Sequence, residues 1–262
     1  MRCLIVSDLH YALPQFDWLL QAAPRYDLVV LAGDALDVGS LVDFRAQTLV
    51  VRKYLQRISS LTRLLVCSGN HDLDAQSETG EKIARWIEDV RRLGIACDGD
   101  SVLIGDTLFT ICPWWDGPKV RDQLLVQLEA DSKKRDGKRW VWIHHAPPRD
   151  SAISWSGSRT MGDADVDQWI RTYKPDLVFA GHIHQSPFVK DGSWVDRVAS
   201  TWVFNTGHQF GAPPAHIVMN TKEDEAIWIS AMGVQSVKLQ QPLERPVQDL
   251  HEMPIWFDAP AA

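Results

Sequence analysis

Leu64-Leu65-Val66-Cys67-Ser68-Gly69-Asn70-His71-Asp72 passes within nine residues from an apolar run to a polar cluster. Leu64 to Cys67 reads as a buried strand ending at Ser68-Gly69. Gly69 frees the backbone, the Asn70 carbonyl can ligate a metal, and His71 would stand beside such a metal without having to bind it. Asn, His and Asp also make ordinary turns, so the reading depends on recurrence. Four more clusters follow apolar strands: Asp8-Leu9-His10, Gly33-Asp34, His144-His145-Ala146-Pro147 and Gly181-His182-Ile183-His184. Together the five hold six of the nine histidines. Each cluster alone can be explained as turn chemistry; five in series at strand ends point to a two-metal site.

Alternate residues on a strand share a face, so Asp8 and His10 can aim an oxygen and a nitrogen at one ion. His182 and His184 repeat the spacing with two nitrogens. Asp34 has two carboxylate oxygens and could bridge two ions. Adjacent residues face opposite ways, so one of His144 and His145 is expected to reach the site and the other to be buried beside it. The ligand set mixes oxygen and imidazole nitrogen without cysteine, which suits Mn, Fe, Zn or similar ions better than Ca²⁺ or a structural zinc.

Working outward, strands are expected at Leu4–Val6 and Leu28–Leu31, with helices over 15–23, 41–58 and 81–93. A hairpin is expected through 102–111, then a helix over 120–130, a strand at 140–143, a helix over 166–173 and a strand at 176–180. Short strands follow at 188–189, 194–195, 202–204, 217–219 and 227–229, separated by turns. Alternating strand and helix followed by hairpins predicts two packed sheets with helices outside them, an α/β fold of four layers, α/β/β/α. The expected division is a domain over 1–238 and an extended tail over 239–262, packing on its own domain; a partner-docking segment is the lesser alternative.

A 45% hydrophobic content supports a sizeable core, and the formal charge of −7 argues against broad affinity for nucleic acid. No apolar run nears the ~20 residues that span a bilayer, and the N-terminus enters a strand at once, so a cytoplasmic protein is expected. Cys3, Cys67, Cys97 and Cys112 form no CxxC pair and are expected as reduced thiols.

These residues resemble the calcineurin-like metallophosphoesterase superfamily, whose signature is D-x-H, G-D, G-N-H-[DE], a histidine close to small residues or proline, and G-H-x-H. The match runs from Asp8 to His184. The resemblance implies two divalent or transition-metal ions. One would be held by Asp8, His10, Asp34 and His184, the other by Asp34, Asn70, His182 and a histidine of the 144/145 pair. His145 is chosen because the family ligand often lies two residues before a proline, here Pro147. It further implies hydrolysis of a phosphate mono- or diester P–O bond by a metal-bridging hydroxide, with His71 protonating the leaving group and Asp37 pairing with His71. A capping or surface carboxylate is an equal reading of Asp37.

A diester is favoured by a small margin, because no extra basic cluster for a dianionic monoester is evident. A phosphorylated small molecule is the expected substrate. The rivals are a DNA-processing nuclease of the same superfamily, disfavoured by the negative charge, and a non-catalytic metal-binding scaffold, disfavoured by the complete ligand set. Trp114 and Trp115 could stack on an aryl or base leaving group, although packing suits them as well. Arg159 could hold a phosphate, with an exposed loop arginine as the default. His208 is a candidate neighbour of the metal cleft, and Lys133 to Arg139 is expected to be a solvated helix end.

Overall fold

Two mixed sheets stack face to face in a computed structural model that describes residues 1–258. The first sheet runs β15 (Gly233–Lys238), β14 (Glu225–Ser230), β13 (His216–Asn220), β1 (Arg2–Val6), β2 (Leu28–Ala32), β3 (Arg63–Cys67) and β6 (Ala96–Cys97). The second runs β11 (Val195–Val198), β12 (Thr201–Asn205), β10 (Leu177–Ala180), β9 (Arg139–Ile143), β8 (Thr107–Ile111) and β7 (Ser101–Ile104). Strands β1, β2, β3 and β6 are mutually parallel, as are β8, β9, β10 and β12; β13 to β15 continue the first sheet antiparallel beside β1, and β7 and β11 flank the second antiparallel. A separate ribbon pairs β4 (Ala75–Gln76) with β5 (Lys82–Ile83).

Strand alternation sets the layers. On β2, Leu28, Val30 and Ala32 face the second sheet, where Phe109, Val141, Ile143 and Phe179 meet them. Val29 and Leu31 face the other way, onto α1 (Leu13–Ala22), α2 (Phe44–Ser59) and α3 (Trp86–Arg91) through Leu19, Leu55 and Ile87. The outer face of the second sheet, with Trp140, Trp142 and Val178, is covered by α4 (Pro118–Lys134) and α5 (Ala164–Tyr173). The fold is thus the expected α/β/β/α sandwich. Strands buried on both faces read as continuous apolar runs, which is how parallel sheets between helices appear in sequence. Each fully buried aliphatic side chain there contributes roughly 1.5–3 kcal/mol.

The expected helix over 81–93 is shorter. Helix α3 spans Trp86–Arg91, and Lys82–Ile83 is a strand. The physical reason is that the backbone there is already paired: Lys82–Ile83 runs antiparallel to Ala75–Gln76, the Glu81 carbonyl accepts from Ser77 N–H at 2.8 Å and the Ile83 carbonyl from Asp74 N–H at 3.1 Å. Residues 188–189 form no strand; Ser186–Phe188 is a single 3-10 turn after Pro187 interrupts pairing. Strands β6 and β15 are additions that periodicity did not reveal. The four cysteines are free and buried.

Lys133, Lys134, Arg135 and Arg139 pair with Glu129, Asp131, Asp176 and Asp224, at the edge where β9 begins. They behave as a solvated helix end and turn. In the predicted tail, Leu239, Leu243 and Val247 pack on the inter-sheet core, and Trp256 and Phe257 on the helix-side core. Residues 259–262 lie outside the described residues. No helix among the described residues is long and apolar enough to cross a membrane.

Candidate metal centre

The carboxyl ends of the central strands of both sheets meet at one edge, and the loops leaving them carry the five clusters. Backbone bonds tie the first two: Asp8 N–H donates to the Gly33 carbonyl at 3.1 Å and His10 N–H to the Asp34 carbonyl at 3.0 Å. Asp8, His10, Asp34 and His182 all have positive φ, between 43° and 71°. Non-glycine residues adopt this region at a cost, and such outliers concentrate at functional sites. Here the sharp turns aim four side chains back over the sheet edge.

Two glycines make the approach possible. A Cβ at Gly69 would overlap the Asp34 carboxylate, and one at Gly181 would overlap the Asp8 carboxylate and the Ser7 hydroxyl. Their absence of a side chain lets β3 and β10 hand over to the site without displacing its ligating groups.

Two groups of potential ligand atoms result. Asp8, His10, Asp34 and His184 form one; Asp34, His145 and His182 form the other, with Asp34 common to both. Asn70 Oδ1 lies 2.8 Å from His182 Nδ1 and so joins the second. In the first group His184 Nε2 is 3.2 Å from Asp8 Oδ1, and 2.9 Å from His10 Nε2. Every residue expected as a ligand is therefore at this edge. His145 rather than His144 faces the centre. His144 is buried on the far side of β9 against Trp115, with ring centroids 4.9 Å apart.

The arrangement fits cations on two observations. His145 Nδ1 is 2.8 Å from the Ala32 carbonyl, to which it donates, and this leaves Nε2 facing the centre. That Nε2 lies 3.0 Å from Asp34 Oδ2, yet neither atom has a hydrogen-bond partner in sound geometry. A buried imidazole nitrogen facing a buried carboxylate oxygen calls for positive charge between them, as a proton or a metal ion. The electrostatics agree. Burial alone would lower the His145 pKa, but the fields of Asp34 and Asp8 push it up to about 10. Burial would raise both carboxyls, and the surrounding imidazoles hold them below the usual range. Every ion-pair partner found for Asp8, Asp34 and Asp37 among the described residues is a histidine.

His71 and Asp37 stand beside the centre, with His71 Nδ1 3.2 Å from Asp37 Oδ1. His71 N–H donates to Asp34 Oδ1 at 2.8 Å, which fixes the loop to the shared carboxylate. His208 adjoins His10 and His184, and its Nδ1 is 2.7 Å from the Asp8 carbonyl. Arg159 is exposed in its loop and Trp114 lines the centre's flank.

Three supporting residues escaped sequence reasoning. Buried Asp72 accepts from the Gly69 and Leu36 amides at 2.8 and 2.9 Å, joining two of the loops. Gln47 on α2 accepts from Asp37 N–H and donates to the Asp37 and Val42 carbonyls, clamping the loop that carries Asp37. Ser7 bonds to Asp8 Oδ2 and to Thr206. Only the D of the G-N-H-D run hinted at the first; the others act across distances that local pattern does not encode.

The chain belongs to the calcineurin-like phosphoesterase family, whose profile matches residues 1–186. No curated protein matches it significantly. Its fold is similar to that of the Thermus thermophilus protein TT1561 (TM-score 0.58, 14% identity), over 91% of this chain and 98% of that one. It is also similar to a dimetal phosphatase from Danio rerio (TM-score 0.55, 13% identity; 91% and 99% covered). A third likeness is to the purple acid phosphatase PPD1 of yellow lupin, Lupinus luteus (TM-score 0.54, 13% identity), over 95% of this chain and 52% of that one. At these identities the likeness is one of fold. Family membership supports phosphoesterase chemistry at the strand-end edge.

Proposed function

We propose that the chain is a dinuclear metal-dependent phosphoesterase acting on a phosphorylated small molecule. The reading rests chiefly on the two ligand groups that share Asp34. One ion would be held by Asp8, His10, Asp34 and His184, the other by Asp34, Asn70, His145 and His182. When bound, such a pair supplies Lewis acidity toward the phosphoryl oxygens and a water acidic enough to attack at neutral pH. The oxygen and imidazole donors accept Mn, Fe or Zn, with metal supply deciding among them.

The protein's own residues do the rest. The buried floor of Asp8, Asp34 and His145 keeps bulk water from one side of the site. His71 presents its ring beside the centre, with Nδ1–H donating to Asp37, and protonates the departing alkoxide through Nε2. Asp37 orients that ring and is a positioning residue. A diester is slightly favoured over a monoester. The carboxylates are flanked by imidazoles, and no lysine or arginine pairs with them among the described residues to add charge for a dianion.

The test is turnover of p-nitrophenyl phosphate and bis(p-nitrophenyl) phosphate by protein reconstituted with Mn²⁺, Fe²⁺ or Zn²⁺. The diester should be cleaved faster, and Asn70→Ala or His71→Ala should lose most turnover. Full activity in both variants would overturn the assignment of roles.

A further inference from the structure

Beside the centre, the same edge carries a cleft of about 530 Å³ between α3 and α4. Its inner wall is Trp114, whose ring centroid lies 5.1 Å from that of His182 and 5.7 Å from that of His145. Trp114 is the one tryptophan among the described residues in ring contact with a histidine of the centre. It therefore borders both the second ligand group and the cleft. Ile83, Ile87 and Leu124 line the cleft with Trp114, while Arg85, Glu88, Arg91 and Gln123 supply polar groups at its exposed rim.

The wall is held in place. Trp114 N–H donates to Ser68 Oγ at 3.0 Å, and Ser68 Oγ donates to Asp98 at 2.6 Å. The next residue, Trp115, packs on His144 and Trp169. Glu81 binds the first amides of α4, which fixes the opposite side. A volume of this size matches small-molecule sites, which combine apolar walls with a few placed polar groups.

The geometry points to this cleft as the subsite for the leaving group, and to a planar aromatic or heteroaromatic ring as its occupant. The inference rests on the phosphoesterase reading for what it connects to. An indole ring with aliphatic neighbours favours a flat ring, and guanidinium and amide groups at the rim suit ring acceptors and donors. A sugar or glycerol moiety would leave the apolar lining unfilled. The subsite selects by the alcohol part of the ester, leaving the metal ligands to act on any phosphoryl group.

The test compares adenosine 5′-phosphate with ribose 5-phosphate, each as monoester and as methyl diester, on metal-loaded full-length protein. Both release the same kind of primary alkoxide, so intrinsic reactivity is matched. The base-bearing ester should show a KM lower by about tenfold or more, the scale of one base–aromatic stack. Trp114→Ala should erase that preference and Trp114→Phe should retain most of it. Gln123→Trp, which fills the rim, should raise KM for the nucleotide by a larger factor than for ribose 5-phosphate.

Equal KM values in the wild type, or a preference that survives both Trp114→Ala and Gln123→Trp, would overturn the proposal. Adenosine alone, followed by saturation-transfer NMR, separates the two readings. Binding of adenosine that Gln123→Trp abolishes, without hydrolysis of any ester, keeps the cleft and ends the phosphoesterase reading. Hydrolysis of p-nitrophenyl phosphate with neither adenosine binding nor nucleotide preference does the reverse.

Discussion

Asp37 Oδ1 stands 3.2 Å from Nδ1 of His71, and Gln47 clamps the Asp37 backbone from both its N–H and its carbonyl. A helix in the outer layer thus sets the angle of an imidazole at the strand-end edge. Asp37→Ala should lower kcat roughly tenfold on alkyl esters, where protonation of the leaving oxygen matters most. The deficit should shrink on p-nitrophenyl esters, whose leaving group needs little protonation. An equal loss on both would show that Asp37 serves the fold rather than proton transfer.

Asp34 is the residue common to both ligand groups. Asp34→Ala should therefore abolish binding of both ions, whereas His10→Ala or His182→Ala should each remove one. Metal analysis after dialysis measures this directly. Retention of two ions by the Asp34 variant would mean the carboxylate is not shared. Chelation of the wild type should lower its melting temperature, because ions that bind only the folded state stabilise it.

Gly69→Ala tests the close approach of β3 to the shared carboxylate. The added methyl would overlap Asp34, so the loop must shift, at a cost of about 1–3 kcal/mol as for other overpacked sites. Calorimetric titration with Mn²⁺ should show weaker binding as well as a lower melting temperature. Unchanged affinity would rule out this steric role.

Asp98 offers a pH signature away from the ligands. Burial raises its carboxyl to about 7, against the opposing bonds from Ser68 and the nearby charge of Arg91. Because the folded pKa lies above the unfolded one, the folded state holds the proton more tightly. The stability it contributes is complete below about pH 4 and is lost as pH rises through 7. Thermal melts should thus show a fall between about pH 4 and 7 that Asp98→Asn flattens. A fall identical in the variant would assign it to other groups.

The division of the chain at residue 238 is a proposal that truncation can test. Removing 239–262 would uncover the faces under Leu239, Leu243 and Val247. A loss of about 2–5 kcal/mol in denaturant unfolding is expected from partial burial of three aliphatic side chains. No change would indicate a tail that contributes nothing to the fold.

The convergence of the candidate ligands was legible because its information is local. Each cluster follows its own strand, and strands buried on both faces announce themselves as apolar runs. Parity along β9 required that one of His144 and His145 turn away, and the proline spacing chose between them in agreement with the geometry. The layer order followed from the same runs. Residues 81–93 misled because the helical periodicity of their first part is overridden by backbone pairing of Lys82–Ile83 with Ala75–Gln76. The polar edge strand Gly233–Lys238 carries no alternation strong enough to notice.

What could not be read is what depends on how separate layers are set against one another. Asp72 and Gln47 brace loops that come near only after packing, and the cleft beside Trp114 exists only because α3 and α4 lie across the ends of β3 and β8. Ligand identity is written in short stretches of chain, since period-two backbone geometry orients neighbouring side chains directly. Selectivity for a leaving group is a property of a cavity, and a cavity is bounded by residues whose proximity the packing of the whole chain creates.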